Sequence, residues 1–155
     1  MPSILFVCHG NICRSPMAEF VMKDLIAQKA KTDPTFDAST WLIESAATTY
    51  EEIGNDIHRG TRRMLDAHRI PYNSRAARHI TPKDYDHFDY IIGMDDENRY
   101  DLRRFYPADP AHKISLLLDW TDHPRDVADP WYTGNFEQTY ADVVAGCSAL
   151  LESLT

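Results

Sequence analysis

The chain has 155 residues, a formal charge of −8 at neutral pH and three cysteines. That length suits a single domain over residues 1–155, one that buries about 70% of its unfolded surface and needs no disulfide or metal staple. The acidic balance excludes nucleic acid and anionic membranes as partners of the whole surface, and an odd cysteine count without an export leader points to a reducing, cytoplasmic setting.

The first apolar run, Ile4-Leu5-Phe6-Val7, reads as a buried strand, and Pro16 followed by Met17 to Met22 reads as the opening of a helix reaching about Ala30. Cys8-His9-Gly10-Asn11-Ile12-Cys13-Arg14-Ser15-Pro16 is therefore a strand-to-helix turn. The N–H groups of such a turn and of the first helical turn lack intrahelical partners and converge where the helix dipole favours an anion. Phosphate fits there. A thiol held in the same field ionises more readily, so Cys8 is expected to act as a thiolate nucleophile. Arg14 offers a planar fork that binds two phosphate oxygens at once and stabilises charge growing on them. Gly10 permits close approach or positive φ, and Asn11 tolerates a left-handed backbone. Ser15 is expected to cap the helix and to hydrogen-bond the Cys8 sulfur.

Further strands are predicted around Trp41 to Ile43, at Tyr90 to Met94 and at Ile114 to Leu118, with helices from about Arg59 to His68 and from near Asp95 to just before Pro107. Alternation of this kind implies right-handed crossovers and a parallel sheet with helices on both faces. Ligands bind such sheets beyond the carboxyl ends of the strands, which is where Cys8 falls. Asp119 to Asn135 is the longest irregular stretch and carries Asp129, with Asp122 and Asp126 as solvated neighbours. Tyr140, Val143, Val144, Cys147, Leu150, Leu151 and Leu154 recur at helical spacing and place Cys147 in the core. No metal-ligand spacing among the seven histidines and no nucleotide-binding fingerprint is present, so neither metal nor cofactor is expected.

The stretch from Cys8 to Pro16 closely resembles the signature loop of the low molecular weight protein tyrosine phosphatases. Ser45-Ala46-Ala47-Thr48, Phe88 to Asp95 and Asp129-Pro130-Trp131-Tyr132 resemble family segments in family order, so the likeness spans nearly the whole chain. It implies a three-layer, flavodoxin-like α/β fold of the phosphotyrosine phosphatase I type around a four-stranded parallel sheet. It also implies a metal-independent hydrolase that cleaves phosphotyrosine monoesters through a phosphocysteine. Cys8, Arg14 and Asp129 would be catalytic, with Asp129 the general acid and then base. His9, Gly10, Asn11, Ile12, Cys13 and Ser15 would bind phosphate, Trp131 and Tyr132 would wall the entrance, and Ser45 would support the loop with Asn11 and Ser15. Where the family often has a supporting histidine this chain has Arg75, and Tyr50 or Glu51 takes the place of an entrance residue. Arg59 and Asp95 match polar family positions with supporting roles. A reversible Cys8–Cys13 disulfide is a further family property.

The implied partners are a phosphotyrosine protein and an inorganic phosphate-like oxyanion, with the chain a monomer or weak dimer. Three alternatives remain on this fold: a thiol-based arsenate reductase, a protein-arginine phosphatase and a non-catalytic phosphate-binding module. The first needs a relay cysteine beyond the loop, where only Cys147 is available. The second tends to carry threonine in place of Ile12.

Overall fold

The computed structural model describes residues 2–155. Four strands, β1 (Ser3–Cys8), β2 (Leu42–Ala47), β3 (Tyr90–Gly93) and β4 (Ile114–Leu116), form one parallel sheet in the order β2-β1-β3-β4. The chain leaves β1 toward β2 on one side and crosses to β3 on the other. The carboxyl end of β1 is thus a topological switch point, and Cys8 is its last residue.

The helices are α1 (Arg14–Thr32), α2 (Arg59–Ala67), α3 (Pro82–His87), α4 (Asp96–Phe105), α5 (Pro130–Thr133) and α6 (Phe136–Ser153). Alternation along β1 sends Ile4 and Phe6 into one core with residues of α1 and α6, and Leu5 and Val7 into a second core with Phe88, Leu102 and Tyr106. A central strand covered on both faces must be apolar at every position, and Ile4 to Val7 are wholly inaccessible. This is the expected three-layer architecture.

Several predicted boundaries move. β2 runs on to Ala47, so Ser45 lies inside the sheet rather than after it. β4 ends at Leu116, because Leu117 to Trp120 turn into a 3₁₀ segment whose Asp119 carboxylate accepts from the Leu116 N–H at 2.9 Å. α1 opens at Arg14, and its N-cap is Cys13, not Ser15. The physical reason is that the Ser15 hydroxyl is held by the loop, 3.1 Å from Cys8 Sγ and 2.7 Å from the Asn11 amide, so it caps nothing. The irregular stretch also contains a short helix, α5, which Asp129 caps by accepting from the Trp131 N–H at 3.0 Å.

α6 lies against the 3₁₀ segment with Gly146 at the contact, and a Cβ on Gly146 would sit 2.4 Å from Leu117 Cγ, a fully buried atom group. Gly146→Ala is therefore expected to cost about 1–3 kcal/mol through overpacking. A lower urea midpoint with an unchanged slope would report it.

Candidate active site

The loop from His9 to Cys13 turns its carbonyls outward. Cys8 O accepts from Thr48 N at 3.0 Å, His9 O from Thr49 N at 3.2 Å and Thr49 Oγ1 at 2.9 Å, and Ile12 O from His58 N at 2.8 Å. Cys13 O takes Met17 N and Thr61 Oγ1, both at 3.2 Å, and Asn11 O takes the Arg75 guanidinium. In a trans peptide the carbonyl and the following N–H point opposite ways, so carbonyls anchored outside leave N–H groups aimed within. Asn11 N and Ser15 N reach Cys8 Sγ at 3.3 and 3.4 Å. The result is a ring of donors about a sulfur at a helix N-terminus, a concavity suited to an oxyanion.

Asn11 is the residue that permits the coil. Its φ is +59°, a left-handed value, whereas Gly10 is not among the positive-φ residues. Gly10 serves instead by leaving space, since a Cβ there would stand 3.1 Å from Glu52 Cγ. Behind the loop, Asn11 Nδ2 donates to Ser15 Oγ at 2.7 Å and to Ser45 Oγ at 2.9 Å, and Ser45 Oγ donates to the buried Glu19 carboxylate at 2.6 Å. Lys23, one turn along α1, pairs with Glu19 at 2.6 Å. Asn11 Oδ1 accepts from Arg78 N at 3.2 Å. One side chain therefore ties the loop to β2, α1 and the segment before α3.

Arg14 is 2% exposed. Its Nη1 donates to Asp95 Oδ2 at 2.6 Å and to Val127 O at 2.9 Å, and Nη2 lies 3.4 Å from Asp129 Oδ2. Burial alone would ease a proton off the guanidinium, but the charges of Cys8, Asp95 and Asp129 outweigh it and hold Arg14 above its ordinary range. Burial, reinforced by Cys8 and Asp129, pushes the Cys13 thiol up to about 12, so Cys13 is a neutral thiol at physiological pH.

Residues just before Asp129 are tied down one after another. Arg125 pairs with Asp142 of α6 at 2.6 Å, Asp126 accepts from Asp96 N at 3.2 Å, Val127 N donates to Met94 O at 2.8 Å, and Ala128 O accepts from Thr139 Oγ1 at 3.2 Å. Asp129 thus arrives at the cavity on a fixed strand of chain. That cavity, about 680 Å³ including space open to solvent, is lined by the buried Cys8, Ile12, Cys13 and Arg14 and by the half-buried Gly10. Its rim is His9, Glu51, Glu52, Asp129, Trp131 and Tyr132. Trp131 and Tyr132 are 60% and 82% exposed, free to meet a ring. The His58 ring stands edge-on to Trp131 at 5.8 Å and stacks on Phe136 at 5.3 Å.

The sequence pattern described as low molecular weight phosphotyrosine protein phosphatase matches residues 3–155. The chain belongs to that family. Low molecular weight protein-tyrosine-phosphatase YfkJ of Bacillus subtilis is 41% identical over 156 residues, covering 99% of this chain and 96% of YfkJ. The YfkJ crystal structure superposes with a TM-score of 0.92 over 99% of this chain and 94% of that one. SP-PTP, the low molecular weight protein tyrosine phosphatase of Streptococcus pyogenes, is also 41% identical, with a TM-score of 0.86 over 100% of this chain and 94% of its own. A drosophila arginine phosphatase, 28% identical with a TM-score of 0.84 over 98% and 97% of the two chains, shares the fold too.

Within this family member, the residues singled out from sequence gather at one place. Cys8, His9, Gly10, Ile12, Cys13, Arg14, Asp129, Trp131 and Tyr132 line the cavity, while the side chains of Asn11, Ser15 and Ser45 meet behind the loop. Of the two entrance candidates Glu51 is at the rim, where His9 Nε2 contacts it, and Tyr50 stacks on His79 at 3.9 Å. Asp122 and Asp126 do not line the cavity. Sequence reasoning missed Glu19, His58 and the direct Asp95–Arg14 pair. An i, i+4 relation to both Ser15 and Lys23 was the available signal for Glu19.

Proposed function

We propose that this chain is a protein tyrosine phosphatase whose single catalytic domain, residues 1–155, uses Cys8, Arg14 and Asp129. The supporting observation is that Cys8 Sγ, ringed by the Asn11 and Ser15 N–H groups, shares one cavity with the Arg14 fork and the Asp129 carboxyl. Cys8 Sγ attacks phosphorus in line, the S–P bond forming as the P–O bond to the tyrosine ring breaks. Loop N–H groups and Arg14 hold the equatorial oxygens. Protonated Asp129 gives its proton to the departing phenolate oxygen. Water then attacks the phosphocysteine, the Asp129 carboxylate takes the water's proton, and inorganic phosphate leaves with Cys8 restored as thiolate.

Trp131 and Tyr132, exposed on the lining of the same cavity as Cys8, suit a ring-bearing ester. An arsenate reductase would need a relay thiol, but Cys147 is wholly inaccessible, its thiol pushed up by burial and directed to Ala18 O at 3.7 Å. The substrate is a phosphotyrosine protein, and the product phosphate or a similar oxyanion inhibits. Net charge argues against nucleic acid and membrane partners, and among the described residues no helix is long and apolar enough to cross a membrane. We place the protein in the cytoplasm as a monomer or weak dimer.

With EDTA present, a phosphotyrosine peptide should be hydrolysed and a phosphoarginine peptide should not. Faster phosphoarginine turnover would overturn the substrate assignment. Asp129→Asn isolates the acid, because asparagine caps α5 as well as aspartate does. Turnover of phenyl phosphate should fall about a hundredfold, with a much smaller loss on p-nitrophenyl phosphate, whose leaving group needs little protonation. Equal losses on both esters would show that Asp129 acts through structure alone.

A further inference from the structure

Trp131 and Tyr132 sit side by side on the rim, yet they are held differently. Among the described residues no ring packs against Tyr132, whereas the Trp131 indole has one neighbour, the His58 imidazole, at 80° and 5.8 Å between centroids. A perpendicular pair sets the positive edge of one ring against the negative face of the other. His58 is itself fixed from three sides. Its N–H donates to Ile12 O at 2.8 Å, its Nδ1 caps α2 by accepting from Gly60 N at 2.9 Å, and its ring stacks on Phe136 at 5.3 Å and 16°. Phe136 opens α6 and packs against Ile12, Cys13 and Ala77. It fits there only because position 60 is glycine, since a Cβ on Gly60 would stand 2.4 Å from that ring.

Because Nδ1 accepts from Gly60, the N–H of the neutral imidazole belongs to Nε2. Burial first, then Arg59 and Arg62, hold His58 below its ordinary range, so at neutral pH the neutral ring faces Trp131. The fixing of one wall ring bears on binding. A side chain already held in place gives up less freedom when a ligand meets it, so a held indole adds more to the affinity for a ring than a free one. A small alkyl phosphate has no ring to meet the indole and gains nothing. His58 is not among the residues lining the cavity, so it acts on a ligand only through its neighbours.

We propose that His58 is a positioning residue for the substrate wall, holding Trp131 so that the site prefers aryl over alkyl phosphoryl groups. The proposal rests on the phosphatase reading only in taking Trp131 as the wall of the phosphoryl site. His58→Asn removes the ring and keeps the cap on α2, because asparagine is a good N-cap. His58→Phe keeps a ring for Trp131 and Phe136 and loses the cap.

The test is calorimetric titration of each full-length variant with phenylphosphonate, methylphosphonate and inorganic phosphate, alongside kcat and KM on phenyl phosphate. His58→Asn should bind phenylphosphonate about fivefold more weakly, with methylphosphonate and phosphate unchanged and KM raised rather than kcat lowered. His58→Phe should keep the preference for the phenyl ligand within about twofold and show a lower thermal midpoint. In a Trp131→Ala background His58→Asn should have no further effect on phenylphosphonate, since the two residues act as one unit. An unaltered phenyl preference in His58→Asn would overturn the proposal. So would equal weakening of all three ligands, which would place the effect in the phosphate loop, or a fivefold loss in His58→Phe, which would assign it to the cap. If His58→Asn fails to fold, Phe136→Leu takes its place, removing the ring that backs His58 while keeping an apolar contact. It should lower the phenyl preference, and an unchanged preference would decide against His58. Phosphonate binding needs no turnover. A lost phenyl preference in a protein that hydrolyses no ester would therefore sink the phosphatase reading and leave His58 standing.

Discussion

Cys8→Ser should abolish phosphate release, with a fall in turnover of at least on the order of 10⁴, while leaving substrate binding intact or tighter. A serine hydroxyl does not ionise near neutral pH, so it cannot replace a thiolate as nucleophile. Binding follows different physics. The Asn11 and Ser15 N–H groups, now 3.3 and 3.4 Å from sulfur, remain in place around a smaller, neutral oxygen. Removing a negative atom from beneath a phosphate dianion relieves repulsion, and the freed donors turn to the phosphate oxygens. Titration with a phosphotyrosine peptide should therefore give a dissociation constant no higher than that for the natural protein with an unreactive phosphonate analogue. Turnover within a hundredfold of the natural rate would place the nucleophile elsewhere. Cys13 is no substitute, since burial pushes its thiol up to about 12 and keeps it neutral.

The Cys8 loop was legible because its chemistry is local. A thiolate, a fork and two backbone-permissive residues all have to fall between one strand end and one helix start. Asp129 was legible for a weaker reason, as the one Asp-Pro in a long irregular stretch, supported by family likeness. What was not legible was assembled across the fold. Glu19, on α1, meets the loop through Ser45 of β2 and Asn11, a convergence that no periodicity in the chain records, whereas Arg75 was legible only through family likeness, as the residue in place of a supporting histidine. The exchange of Tyr50 for Glu51 at the rim depends on how the chain leaves β2, and one residue of rotation separates the two. Likewise Leu116, Leu117 and Leu118 are equally apolar and equally buried, yet only the first is in the sheet. Hydrophobicity tells where a segment is buried and not which hydrogen bonds its backbone makes. Thr81-Pro82 with Asp84 three residues on is a capping signature for α3 that was present and unused, overshadowed by the shortness of the helix.

Arg14→Lys should lower kcat/KM about a thousandfold or more and destabilise the protein, two effects with separate causes. The catalytic loss follows from geometry. A guanidinium offers paired, coplanar donors to two oxygens of the phosphoryl group, whereas an ammonium is a point charge that meets one at a time. Stability falls because Arg14, 2% exposed, answers Asp95 at 2.6 Å and Val127 O at 2.9 Å from a single nitrogen. A shorter side chain leaves one of those acceptors unpaired, at a cost of roughly 1–3 kcal/mol. Asp95 is not free to move toward a lysine, since its other oxygen caps α4 by accepting from Asn98 N at 2.8 Å. For a domain of this size the thermal midpoint should drop by roughly 3–10 °C. Adding Asp95→Asn to Arg14→Lys removes the stranded charge while keeping the cap, so it should recover part of that midpoint and none of the activity. Recovery of activity in the double variant would mean that Arg14 serves mainly to neutralise Asp95. Persistent loss in a restabilised protein, measured well below its midpoint, assigns the guanidinium to the phosphoryl group itself.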